Sequence, residues 1–278
     1  MTTESSAFRE IRSPAVAGRF YPGDPAVLAR DVARLLGPQR QDLVAARAVM
    51  VPHAGYRYSG AIAGKTFARI LPRPRAIVLC PNHTGLGAAR SVSPAAMWEL
   101  PGGGLHGDVE LRELLVEHAA LDAEPFAHLR EHAAEVILPF LRALFAETSF
   151  VAVCLAQLSV DDCRRVARGI AAAVRAASAE HDVLIVASTD MSHYVPADVA
   201  SREDALAIER VVAMDAEGLF RTVRERRISM CGYVPTTVAL FAARELGAGR
   251  AELVSYGNSG EVTGDVSSVV GYAGALFI

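Results

Sequence analysis

Ala48-Val-Met-Val-Pro-His-Ala-Gly-Tyr-Arg-Tyr-Ser-Gly60 is the stretch that decides the fold class. An apolar run leads to Pro52, an imidazole follows at once in His53, and Gly55 and Gly60 frame Tyr56 and Tyr58 before a helical pattern begins. So short an apolar run reads as a buried strand that delivers His53 to a sheet edge. In open α/β sheets ligands sit beyond the carboxyl ends of strands, so His53 stands where chemistry is done. A single histidine after a strand is also what a hydrogen-bonded structural residue looks like, and repetition of the arrangement decides between the two.

The chain does repeat it. Ala76-Ile-Val-Leu-Cys80 is a second apolar strand and runs into Pro81-Asn82-His83, with residues 61–71 reading as a helix between the two. That is a βαβ unit with both imidazoles at one sheet edge. Val183-Leu-Ile-Val-Ala187 is a third strand and ends in Ser188-Thr-Asp190-Met-Ser-His193, delivering a carboxylate and another imidazole. Phe150 to Leu155 reads as a strand and 160–177 as an amphipathic helix. Asp24-Pro25 opens a helix that Gly37-Pro38 stops. Residues 86–108 read as irregular surface chain, 203–214 and 216–226 as outer helices, and the C-terminal part as two strands around a glycine-rich loop. With no repeat and no linker, a single α/β domain over 11–278 follows a disordered tail of residues 1–10.

Composition narrows the function classes. With 51% hydrophobic residues among 278, the chain can bury a large core. A net charge of −3 and the lack of a Lys/Arg cluster argue against nucleic acid as a partner. No apolar run approaches the roughly 18 residues of a bilayer span, which argues against a membrane partner. The polar start has no signal-peptide core, so the expectation is a cytoplasmic protein. The four cysteines form no CxxC pair, so neither disulfides nor a zinc ribbon is expected. Cys231, just ahead of a helix expected over 236–246, is the one with a chemical address. The helix dipole there is expected to lower its thiol pKa. Cys80, Cys154 and Cys163 read as inert packing residues.

His53, His83, Asp190, His193 and Cys231 thus gather from four places at strand ends or before a helix. Two neutral imidazoles with a thiolate or carboxylate suit a divalent transition metal such as iron, copper or zinc. A Cys-His-Asp nucleophilic triad is the rival chemistry, but it leaves strand-end histidines without a task. His132 and Glu135, one helical turn apart, read equally as a cap and surface cluster or as support for a site. Phe20 reads as a packing residue or a pocket wall.

Pro52-His-Ala-Gly-Tyr-x-Tyr-Ser-Gly60, Pro81-Asn-His83, Glu131-His-x-x-Glu135 with Leu138-Pro-Phe-Leu141, Ser188-x-Asp-x-x-His193 and Cys231-Gly together resemble the Memo family. Its prokaryotic members are called AmmeMemoRadiSam system protein B. The resemblance runs from about Ile11 to the C-terminus. It implies a fold similar to class III extradiol dioxygenases: one α/β domain with a central mixed, largely parallel sheet flanked by helices. It implies His53, His83 and Cys231 as metal ligands, Asp190 and His193 as catalytic groups beside the metal, and Phe20 and Tyr58 as pocket walls. With them, His132 and Glu135 complete the expected pocket. Iron is the expected metal, with copper or zinc as alternatives. The function implied is that of a metal-dependent redox enzyme, of oxygenase or oxidoreductase type. The alternative is a non-catalytic metal-binding or adaptor protein in a radical-enzyme system, its partner being a small-molecule substrate, a peptide or that radical enzyme.

Overall fold

In the computed structural model, which describes residues 11–38, 42–177 and 182–278, four parallel strands carry the fold. They are β2 (Ala48–Val51), β3 (Arg75–Pro81), β8 (Ser149–Leu155) and β9 (Val183–Ser188), side by side in the order β8-β3-β9-β2. Each is apolar on both faces because both faces are covered. Ala48, Met50, Ile77 and Leu79 point into one core, while Val49, Val51, Ala76 and Val78 point into the other, as a period of two requires.

The connections explain where the helices lie. Helix α2 (Tyr56–Phe67) joins β2 to β3, and helix α5 (Val160–Ala176) joins β8 to β9, each passing over one intervening strand. The two crossovers travel in opposite directions across the sheet, so right-handed connections must lie on opposite faces. Accordingly, Tyr56 and Phe67 pack in one core, and Val166 and Ile170 in the other. Helix α1 (Pro25–Leu36), opened by Asp24 accepting from the Val27 N–H, packs on α2.

The sheet is mixed at its flanks. Strands β12 (Val269–Phe277) and β11 (Ala251–Asn258) add antiparallel beyond β2, and β10 (His193–Val195) pairs with the start of β12. On the other side, β1 (Ile11–Arg12), β5 (Met97–Trp98) and β6 (Leu105–Gly107) extend the sheet beyond β8. A short β4 (Arg90–Val92) also pairs with β8, and β7 (Asp122–Ala123) pairs with β4. Residues 86–108, expected as irregular chain, therefore contain three strands; their runs of two or three residues are too short to show a period. The tail expected over residues 1–10 lies outside the described residues. Among the described residues, no helix is long and apolar enough to cross a membrane.

The expected boundaries shift in places. Helix α2 begins at Tyr56 rather than residue 61, because Gly55 already has helix-entry geometry. Gly60 is correspondingly no part of a turn: a Cβ there would come 2.9 Å from the Leu35 side chain, so its smallness serves the α1–α2 contact. The helices α6 (Ala197–Val212) and α7 (Ala216–Arg226) are not merely outer, since Ala207, Val211, Leu219 and Val223 belong to the core.

A buried histidine tunes the stability of this fold with pH. His128 is buried; its Nε2 lies 2.9 Å from Ser91 Oγ, and its Nδ1 has no hydrogen-bond partner among the described residues. Burial pushes its pKa down to about 4 from the ordinary 6.5. The folded state therefore binds fewer protons than the unfolded chain between pH 6.5 and 4, and stability contributed above that window is lost as pH falls through it. The loss from this residue is about 3 kcal/mol. Urea unfolding of a His128→Gln variant is expected to show a pH 7 to 4 decline shallower by about that amount; an unchanged slope would contradict the assignment.

Candidate metal centre at the carboxyl edge of the sheet

Register sets the site. Val51 of β2 pairs with Ser188 of β9, and Leu79 of β3 pairs with Ala187, so the three strands end close together and release His53, Asp190 and His83 at one edge. Across from them, Cys231 and Gly232 lead into helix α8 (Tyr233–Glu245). Gly232 is needed for this approach: a Cβ there would meet Ser188 O and Thr189 Cβ at 2.5 Å. The Gly232 N–H donates to Thr189 Oγ1 at 2.9 Å, tying the cysteine loop to the end of β9.

Each ring is oriented from behind. His53 Nδ1 lies 2.8 Å from Ser188 Oγ, and that hydroxyl donates onward to Ala133 O at 2.7 Å. Ser188 must then accept from the ring, which puts the proton on Nδ1 and leaves the Nε2 lone pair free. His83 Nδ1 lies 2.9 Å from Glu131 Oε1, and the His83 N–H donates to Oε2 at 2.7 Å. The same logic frees the second Nε2. Burial raises the Glu131 carboxyl pKa, but the His83 hydrogen bond and charge, with the Ala133 N–H, outweigh it and hold it below the carboxylate range.

The three donor residues converge. Ligand atoms of His53, His83 and Cys231 lie within 4.8 Å of one another, and His53 Nε2 is 3.4 Å from Cys231 Sγ. A metal bound at ordinary nitrogen and thiolate distances holds such a pair about 3.6 Å apart, so the pair is already spaced for an ion. Burial, then the neighbouring imidazoles His132 and His83, drives the His53 pKa well below 6.5, keeping the ring neutral as ligation requires. Cys231 departs from expectation. Burial, then the Asp190 charge, pushes its thiol pKa up rather than down. The helix dipole is overridden because Sγ is tucked against Asp190, whose N–H donates to it at 3.2 Å and whose charge disfavours a thiolate. Without a cation the group is a thiol, a poor starting point for the nucleophilic triad; a metal would draw off the proton.

Asp190 and His193 flank the donors. Asp190 Oδ1 accepts from the His53 N–H at 2.8 Å and the Ala54 N–H at 3.3 Å, while burial pushes the pKa up to about 6 against those bonds. His193 Nδ1 lies 2.7 Å from Met191 O and 2.9 Å from Ser229 O, so Nδ1 carries the proton and Nε2 is free. Asp204, buried on α6, accepts from the Ser192 N–H at 2.9 Å, Ser192 Oγ at 2.6 Å and the Tyr256 hydroxyl at 2.8 Å, pinning the loop between Asp190 and His193. His132 joins the cluster: its ring centroid is 4.7 Å from that of His83, 5.3 Å from His53 and 4.8 Å from Phe20. Burial lowers its pKa to about 4.

Two expected pocket residues have surroundings of their own. Tyr58 lies on the first turn of α2, 37% exposed, with the Arg57 guanidinium 5.7 Å from its ring. Glu135 is wholly buried, and its carboxylate accepts from the Ala15 N–H at 2.8 Å, the Val16 N–H at 3.0 Å, the Tyr21 hydroxyl at 2.7 Å and the Arg12 guanidinium. Arg12 also donates to His128 O at 2.9 Å and Glu131 O at 2.7 Å, and its guanidinium lies over the Trp98 ring. This pair thus ties the loop bearing Phe20 to the segment bearing Glu131 and His132. Breaking a buried pair strands a charge, so Arg12→Met is expected to lower unfolding free energy by about 3–5 kcal/mol. Chemical denaturation checks this, and a loss below about 1 kcal/mol would contradict it.

Comparison with known proteins places these residues in context. The family profile described as Memo-like protein matches residues 12–276. A MEMO1 family protein of Aquifex aeolicus (strain VF5) is 39% identical over 268 residues, covering 96% of this chain and 99% of the relative. MEMO1 family protein MTH_45 of Methanothermobacter thermautotrophicus is 38% identical over 275 residues, covering 95% and 99%. MEMO1 family protein MK0963 of Methanopyrus kandleri is 37% identical over 281 residues, covering 96% and 98%.

Proposed function

The chain belongs to the Memo family, and on that premise we propose that it binds a transition metal, iron before copper or zinc, on His53, His83 and Cys231 and uses it as a redox enzyme. The observation that carries this reading is the convergence of two pre-oriented imidazoles and one thiol within 4.8 Å. Such a mixed nitrogen and sulfur set suits iron, copper or zinc, and three protein ligands leave further positions for a small molecule. When bound, the metal would supply one-electron or oxygen chemistry to an organic substrate.

The residues around the site have separable tasks. Ser188 and Glu131 fix the ring tautomers and directions of His53 and His83. His193, with Nδ1 committed to backbone carbonyls, offers Nε2 as a proton acceptor, and Asp190 holds a carboxyl beside it for the same purpose. Phe20 and His132 form an aromatic wall that limits water. We place the protein in the cytoplasm, acting on a small molecule; a radical-enzyme partner belongs to the alternative reading as a metal-holding adaptor.

Oxygen uptake by iron- and copper-loaded protein, in the presence of catechols and thiol reductants, tests the enzymatic reading. Turnover that disappears in Cys231→Ala supports it. Tight metal binding without oxygen uptake or substrate consumption would overturn it and leave a metal-holding adaptor.

A further inference from the structure

The Phe20 wall has a second side. A cleft of about 520 Å³ opens between the loop 18–22 and helices α1 and α2, and Arg19, Arg34 and Arg57 line it with Asp31 as the only acid. That volume suits a small organic ligand. Arg34 is held by Asp31, its Nη2 2.9 Å from Oδ1. Arg19 and Arg57 are exposed and, among the described residues, have no carboxylate within salt-bridge distance. The cleft therefore carries two uncompensated guanidinium charges in a chain whose net charge is −3.

The backbone adds to the same polarity. Helix α2 opens onto this cleft through Tyr56 and Arg57, its N-cap Gly55 offers no side-chain acceptor, and its first turn contains no acid. The Tyr56 N–H is taken by Phe20 O at 2.7 Å, and those of Tyr58 and Ser59 by Gly55 O at 2.8 and 3.2 Å. The first turn thus carries no acid of its own beside Arg57, while the Asp190 carboxylate accepts from the Ala54 N–H at 3.3 Å just ahead of the cap, on the metal-centre side. In α1, by contrast, Asp24 caps the start. Two guanidinium forks without a carboxylate partner, facing one concave space, form an anion site through charge-assisted, bidentate hydrogen bonds.

We infer that the Arg19–Arg34–Arg57 cleft is a second binding site, for a small organic molecule bearing a phosphate or carboxylate group. Arg19 and Arg57 grip the anion, and the Tyr56 and Phe20 side of the cleft takes the apolar body. The site needs no metal, so its test is independent of the metal reading.

Isothermal titration of the full chain, stripped of metal, with pyrophosphate in one arm and citrate in the other, tests this against chloride at equal ionic strength. At least one anion is expected to bind with a submillimolar Kd. An Arg19→Ala/Arg57→Ala variant is expected to weaken that binding roughly tenfold or more, as loss of charge-assisted bonds implies. Arg221→Ala, an exposed arginine on α7, is expected to leave it unchanged. Binding by pyrophosphate alone identifies a phosphate site, and binding by citrate alone a carboxylate site. No heat of binding from either at about 5 mM, or equal affinity in the double variant, would overturn the proposal.

Discussion

Protein carrying Cys231→Ala, purified without added metal, is expected to fold and to hold only trace transition metal, where the parent holds close to one ion per chain. The fold survives because Cys231 is partly exposed and its sulfur accepts one backbone N–H, from Asp190 at 3.2 Å, whose loss costs about 1 kcal/mol. The metal does not survive, because two imidazoles remain from a three-donor set. The affinity loss should exceed the roughly 10–100-fold that accompanies removal of a supporting hydrogen bond. Elemental analysis, with chelator competition for the affinity, measures both. His53→Ala should behave alike, although its burial adds a cavity cost that Cys231→Ala avoids. Unchanged metal content in both variants would remove the three-donor assignment.

Glu131→Gln should give the second large effect. The glutamine keeps the volume but presents one acceptor where the carboxylate served both the His83 N–H and the His83 ring, and it removes the charge facing two imidazoles. Metal affinity is expected to fall about 10–100-fold with the fold retained. Glu135→Gln, four residues on, is the contrast. Its partners are Arg12, Tyr21 and the backbone of residues 15 and 16, so it should cost stability first. Equal effects of the two variants on metal affinity at matched stability would show that Glu131 acts only through folding.

That contrast marks how far the sequence could be read. The strand-end residues were legible because a short apolar run followed by proline and histidine recurs, and a parallel sheet puts such ends together. The same repetition brought out Asp190. The roles within Glu131-His132-x-x-Glu135 were not legible. Glu131 orients a ring 48 positions away, and Glu135 pairs with Arg12, 123 positions away, and nothing local marks either partner. Ser188 belongs to a recognisable motif, yet its task depends on Ala133 O arriving from another segment. Cys231 shows the opposite failure. Its position before a helix was correctly read, but the local dipole argument gave the wrong sign because burial beside Asp190 outweighs it.

The short flanking strands escaped for a physical reason as well. β1, β5 and β7 are two residues long, and pairing with neighbours defines them rather than any pattern of their own. The arginine cleft was invisible for a similar reason, since Arg19, Arg34 and Arg57 lie on three different segments.

Anomalous scattering recorded at the absorption edges of iron, copper and zinc, from crystals of protein purified without added metal, tests the central claim most directly. The expected result is one strong peak bounded by His53 Nε2, His83 Nε2 and Cys231 Sγ, with the edge naming the element. No peak there in metal-saturated crystals, or a peak held instead by His83, Glu131 and His132, would contradict it.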